Sequence, residues 1–313
     1  MESKNNWKAW LYLAPAIIFL GIFTFYPLIN TILISFCKSY DIKSNEVALV
    51  ALFKHGFTLD NYGYVLGIKG ISRGGVISYY KNVIQYAIPN TLFIVFVTVP
   101  CSIFLALIIA VAINSIKPLK KLFQTIFFLP YVTNAIAVGM VFSVIFASNN
   151  GLWNSIFGLK NGTNWVDGGA SWANGMFALC LYIVWHALPY KILIFLSGLQ
   201  GIDKQYYQAS QIDSASRLKT FWRVTVPLLS PQIIYVLITS LIGSFKEYSS
   251  VVALFNNPGT SLGSYNMYTV AYYIYDNISK QPRLAAAAAV LLFLIIMFFT
   301  VIQRKVSAKR VHY

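Results

Sequence analysis

Six stretches of this chain are apolar over a length that crosses a bilayer core, and that excludes most folds before any motif is considered. Hydrocarbon offers no water to backbone N–H and C=O groups, so such stretches become helices that satisfy those groups internally. A crossing takes about 20 residues. The stretches lie at 10–36, 86–113, 122–148, 174–199, 228–254 and 284–302. Composition agrees, since 58% of the 313 residues are hydrophobic and only 11% are charged, against about 25% charged in soluble domains. The expected fold is all-α: a polytopic membrane protein with six transmembrane helices in a single domain over 1–313. The first stretch is longer than a secretory leader, and no small-residue cleavage site follows Tyr26-Pro27-Leu28, so a retained helix is expected.

The net charge of +15 would point to nucleic acid in a soluble chain. Here it belongs to loops beside helices, so membrane lipid is the expected partner and nucleic acid is not. With the amino terminus inside, the cytoplasmic pieces 1–9, 114–121, 200–227 and 303–313 hold thirteen Lys and Arg in about 55 residues. The outer loops hold nine in about 100. Lys117, Lys120, Lys121, Arg304, Lys305, Lys309 and Arg310 stand against helix ends. Both termini are therefore expected in the cytoplasm. Cys37, Cys101 and Cys180 lack metal-like spacing and read as small hydrophobes.

Enzymatic constellations are scarce. The three histidines (His55, His186, His312) are far apart in sequence, and no G-x-x-x-x-G-K-[ST] phosphate loop exists. No metal site, catalytic residue or resident cofactor is expected. Ionisable residues within membrane segments are functional candidates. The fifth segment carries Ser240, Gly243, Ser244 and Glu247 at i, i+3, i+4 and i+7, one face of a continuous helix. The fourth carries His186 and Tyr190 four apart, with Pro189 removing a backbone hydrogen bond between them. Two such faces can line a path for a polar solute. Lys191 and Lys246 are the cations available to Glu247.

Between these segments runs a polar stretch of 200–227, longer than a plain connection needs. Gln208-Ala209-Ser210, Asp213-Ser214-Ala215 and Val226-Pro227 resemble the "EAA" cytoplasmic loop of ABC importer permeases. In that pattern a Gly follows the leading Glu by six positions and a Pro by nineteen, and both spacings hold from 208 to 214 and to 227. This chain has Gln208, Ser210 and Ser214 where the pattern has Glu, Ala and Gly. Further landmarks, among them Phe25-Tyr26-Pro27, Phe127-Phe128-Leu129-Pro130-Tyr131 and Trp185-x-x-x-Pro189-Tyr190, resemble the carbohydrate-uptake permeases of the maltose and glycerol-phosphate type.

The resemblance implies a permease subunit, in a prokaryotic cytoplasmic membrane, for a sugar, oligosaccharide or related polyol. It implies a second homologous permease, two ATPase subunits that bind ATP and Mg, and an extracytoplasmic solute-binding protein. It carries ATPase coupling onto Gln208, Ala209, Ser210, Asp213, Ser214, Ala215 and Pro227. Contacts with the solute pass to His186, Ala187, Tyr190, Ser240, Gly243, Ser244 and Glu247. A non-sugar solute such as a glycerophosphodiester or polyamine is the alternative cargo. An ion-coupled secondary transporter using Glu247 is a rival that leaves the 208–227 pattern unexplained.

Overall fold

The structure, a computed structural model, describes residues 6–44, 46–73, 76–79, 83–116, 120–149, 151–159, 163–167, 170–255 and 267–308. Lys117, Lys309 and Arg310 lie outside the described residues. Among the described residues four helices are long and apolar enough to cross a membrane: Trp10–Ser35, Val83–Ser115, Trp172–Gly201 and Pro282–Val306. Two bent pairs, Leu122–Val132 with Ala135–Ile145 and Arg217–Leu228 with Ser230–Phe245, raise the number to six when each counts as one span. The all-α reading holds, with one small antiparallel hairpin, Gly70–Arg73 on Val76–Tyr79, in the first long loop.

Several irregularities trace to proline. Wide π-type turns at Gly21–Phe25, Val83–Ala87 and Val226's neighbour Phe221–Thr225 each end two residues before a proline, at Pro27, Pro89 and Pro227. Proline lacks the N–H that would close an i→i−4 bond and its ring crowds that carbonyl, so the preceding turn widens.

The third and fifth spans differ from expectation. The stretch expected as one helix over 122–148 turns by 96° near Thr133 and Asn134. Asn134 stops the first helix and caps the second, its Oδ1 accepting from the N–H of Ile136 (2.8 Å) and Ala137 (3.3 Å). The stretch expected over 228–254 is likewise no single helix. It runs from Ser230 to Phe245 and resumes at Ser249–Leu254. Its amino-terminal boundary moves too, because Arg217–Leu228 joins it through a 69° bend at Leu229.

By its contacts the chain divides into two compact units, Met1–Ile84 with Tyr273–Phe293, and Gln85–Tyr272 with Leu294–Tyr313. In the first, the helix Ala48–His55 packs on Tyr26–Ser35, the last turns of the first span. In the second, Ile88–Ser115 and Trp172–Gly201 form the principal helix pair, and the core lies along them. Small residues let other elements approach. A Cβ on Gly198 would meet Leu229 Cδ2 at 2.8 Å, and one on Gly139 would meet the Ala253 side chain at 2.3 Å.

Candidate functional site

A cavity of about 300 Å³ opens in the second unit between the fourth and fifth spans. The fourth contributes His186, Ala187, Tyr190 and Lys191, and the fifth contributes Thr239, Ser240, Gly243 and Ser244. Glu247 and Ser250 also line it, as does Tyr131 of the bent third span. All seven residues expected on the solute path therefore share one space. Ser240, Gly243, Ser244 and Glu247 do not share one helix, however. The helix ends at Phe245 with tightened bonds from Lys246 N–H to Gly243 O (3.0 Å) and Glu247 N–H to Ser244 O (3.3 Å). Glu247 sits in the break, and one carboxylate oxygen accepts the Ser250 N–H at 2.9 Å. Its backbone carbonyl accepts the Thr269 hydroxyl at 2.7 Å. The acid thus bridges the end of one helix and the start of the next, with one carboxylate oxygen left over beside the cavity.

Neither expected cation pairs with it. Among the described residues the ion pairs lie elsewhere. Lys246 is exposed, whereas Lys191 is buried and donates to the Ser102 hydroxyl across the main helix pair. Ser102 in turn donates to Thr98 O at 2.5 Å, so one chain of hydrogen bonds joins the ammonium to the helix backbone. An ammonium has three donors, and a single protein acceptor leaves it able to bond a polar guest.

Aromatic residues shape the wall. Tyr190 stacks on Tyr131 (centroids 5.7 Å, 19° between planes), and its hydroxyl bonds that of Tyr235 at 3.2 Å. Tyr182, behind His186, donates to Ala135 O at 2.6 Å and so ties the fourth span to the bend of the third. Tyr131, Thr239 and Ser250 were not among the expected residues. Tyr131 becomes a wall because the third span bends after it at the Asn134 cap, and a capping residue alone does not foretell a 96° turn. Thr239 adjoins Ser240, but its hydroxyl is turned back to Tyr235 O (2.9 Å), as is usual for Thr in a helix.

The second expected group folds as a helical hairpin. Asp203 caps Lys204–Ile212, on which Gln208 and Ala209 are exposed and Ser210 is buried. Ser210 Oγ meets Thr220 Oγ1 at 2.5 Å and holds the two arms together. Asp213 ends the helix and Ser214 follows with φ 50°, the one non-glycine of positive φ among the described residues. Ser214 N–H bonds Gln211 O and Ala215 N–H bonds Ser210 O, both at 3.0 Å. This is the Schellman arrangement, in which the residue after the cap is left-handed and usually Gly. Ser216 then caps Arg217–Thr220, and Pro227 stands at the start of the short helix before the bend at Leu229. Ile212, Leu218 and Trp222 on this hairpin are 84%, 69% and 54% exposed, apolar groups that sequence reasoning passed over. Among the described residues no cluster of three His, Cys, Asp or Glu is placed to hold a metal.

Helices long and apolar enough to cross a membrane, and a cavity into which ionisable and hydroxyl side chains are set, fit an integral-membrane transport component. Residues 70–313 match the family described as binding-protein-dependent transport system inner membrane component, and the chain belongs to that family. It is 28% identical over 278 residues to a probable ABC transporter permease of Mycoplasma genitalium, covering 87% of this chain and 76% of that one. It is 30% identical over 268 residues to the arabinooligosaccharides transport system permease AraP of Bacillus subtilis (84% and 76%). Its fold is that of a bacterial alginate ABC transporter chain solved in complex with an alginate pentasaccharide-bound periplasmic protein. There the TM-score is 0.70 at 20% identity, over 98% of this chain and 96% of that one. The protein is a permease subunit, an inner-membrane component of an ABC transport system.

Proposed function

We propose that this permease forms half of the translocation path of an ATP-driven importer for a sugar or oligosaccharide, with the solute held in the cavity between the fourth and fifth spans. The observation that carries the reading is that His186, Tyr190, Ser240, Ser244 and Glu247 meet in one space although they come from separate helices. The chemistry suits a carbohydrate: tyrosine rings offer apolar faces, while carboxylate, ammonium and hydroxyl groups exchange hydrogen bonds with several hydroxyls. The arabinooligosaccharide relative supports the same cargo.

The chain acts as one permease domain beside a second homologous permease, both termini in the cytoplasm, and receives solute from an extracytoplasmic binding protein. ATP and Mg are bound and hydrolysed on two partner ATPase subunits, and this chain holds no cofactor. The exposed hairpin, with Gln208 and Ala209 on one arm and Ile212 at its turn, docks in a cleft of the ATPase. Closure of the ATPase pair then rocks the helices to alternate access. Gln208 supplies a neutral hydrogen bond there in place of the charge-assisted bond of a Glu.

The test is uptake of labelled di- and oligosaccharides by cells carrying the complete system, with and without Glu247→Ala. Saccharide uptake that weakens in the variant while subunit assembly persists supports the reading. Uptake of a polyamine, with no saccharide competing, would replace the cargo.

A further inference from the structure

The first loop contains a helix that the transport reading does not use. Ala48–His55 turns Ala48 and Ala51, both fully buried, toward the first span, and presents Leu49, Val50 and Phe53 on the opposite arc. Phe53 is 83% exposed. Both ends of the helix are tied to the residues that follow the span. Cys37 Sγ contacts Ala48 O at 3.8 Å, and the Lys38 N–H donates to Gly56 O at 3.1 Å. Thr58 N–H donates to Phe36 O (2.8 Å), and Phe36 stacks on Phe57 at 5.1 Å. The Asn61 amide donates to both Ser35 O and Cys37 O at 2.9 Å. Eight residues of helix extend about 12 Å, so the whole element lies within that distance of the span's end.

The length of the span carries that end to the edge of the hydrocarbon or beyond it. The span Trp10–Ser35 has 26 residues, about 39 Å of helix against a hydrocarbon core of about 30 Å. The last span also starts here, since Arg283 at its first turn donates to Lys38 O at 2.5 Å. Charged groups edge the helix: Lys54 and His55 both face Glu46, at 2.6 and 3.5 Å. The first span, on whose last turns the helix packs, is itself exposed, its most apolar window being 0% buried.

We propose that Ala48–His55 is an interfacial helix whose Leu49–Val50–Phe53 face is covered by lipid, at the acyl–headgroup boundary of the leaflet where the first span ends. The occupant is lipid rather than a protein because the helix lies at the level where two spans leave the hydrocarbon, beside an apolar surface already exposed. The arrangement limits how far the first span can slide along the membrane normal.

Nitroxide labels report the environment directly. The full chain, purified with its co-isolating subunits in a Cys101→Ser background, is labelled singly at Leu49→Cys, Val50→Cys, Phe53→Cys or the loop control Lys43→Cys. It is then reconstituted in phosphatidylethanolamine–phosphatidylglycerol vesicles. The expected ratio of oxygen to nickel-chelate collisions is several-fold larger at 49, 50 and 53 than at 43, with or without solute-binding protein. Equal ratios at all four positions overturn the proposal. So does a rise at 53 only on adding the binding protein, which would assign the face to protein docking.

Discussion

Ser214 carries a left-handed backbone where the resembled loop pattern has Gly, and the two facts explain each other. A Cβ in that region costs roughly 1 kcal/mol, which Gly avoids. Ser214→Gly is therefore expected to stabilise the hairpin by about that amount, read as a small rise in Tm of the purified subunit, with uptake retained. Ser214→Val, branched at Cβ, should lower it. Glu247 works in two directions, capping Ser249–Leu254 through Ser250 and offering its other oxygen to the cavity. A hydrogen bond to a charged group is worth about 1.5–3 kcal/mol, so Glu247→Ala should weaken apparent solute affinity by roughly ten- to a hundredfold. Unchanged uptake kinetics across candidate solutes would mean that the 240–247 residues only pack.

Among the elements, the broken helices carry most of the difference between sequence and structure. The six apolar stretches were legible because length and hydropathy alone decide them. The polar set on the fourth and fifth spans was legible through helical spacing, although that spacing assumed a helix running through Glu247. It ends at Phe245 instead, because residues 246 to 248 can take shorter bonds and a carboxylate cap that hydropathy does not register. The bend at Asn134 is of the same kind: its capping side chain is visible in sequence, but the packing that rewards a turn there is not. That packing includes the contact of Gly139 with Ala253. Gly139→Val would force the two short helices apart and should lower stability by about 1–3 kcal/mol, seen as a reduced Tm in detergent. In the hairpin proposed to couple to the ATPase, Ala209 is exposed. Ala209→Asp should leave the protein in the membrane and abolish uptake, because the charge would enter the ATPase cleft. Normal ATPase association and transport in that variant would remove the coupling role of this hairpin.

At the scale of the whole molecule, this permease subunit carries a cavity between its fourth and fifth spans, a helical hairpin at 204–225 and a first loop held by ion pairs. The first-loop ion pairs keep working in mild acid. Lys54 and His55 hold the Glu46 carboxyl below its ordinary range, and Lys69 does the same for Asp60. A carboxyl held low stabilises the folded loop above its ordinary pKa of about 4. That contribution goes only as pH falls through the lowered value. Hydrogen exchange in 46–69 is accordingly expected to show no opening of the loop between about pH 7 and 5 once the intrinsic pH dependence is removed. The central claim is that transport by this chain depends on partners that supply energy and solute. It is tested most directly by isolating the chain from detergent-solubilised native membranes, identifying by mass spectrometry what accompanies it, and assaying the product in vesicles. A second homologous permease and an ATPase should co-isolate, and uptake should stop without ATP. A chain that emerges alone and still moves a solute without ATP would contradict the account.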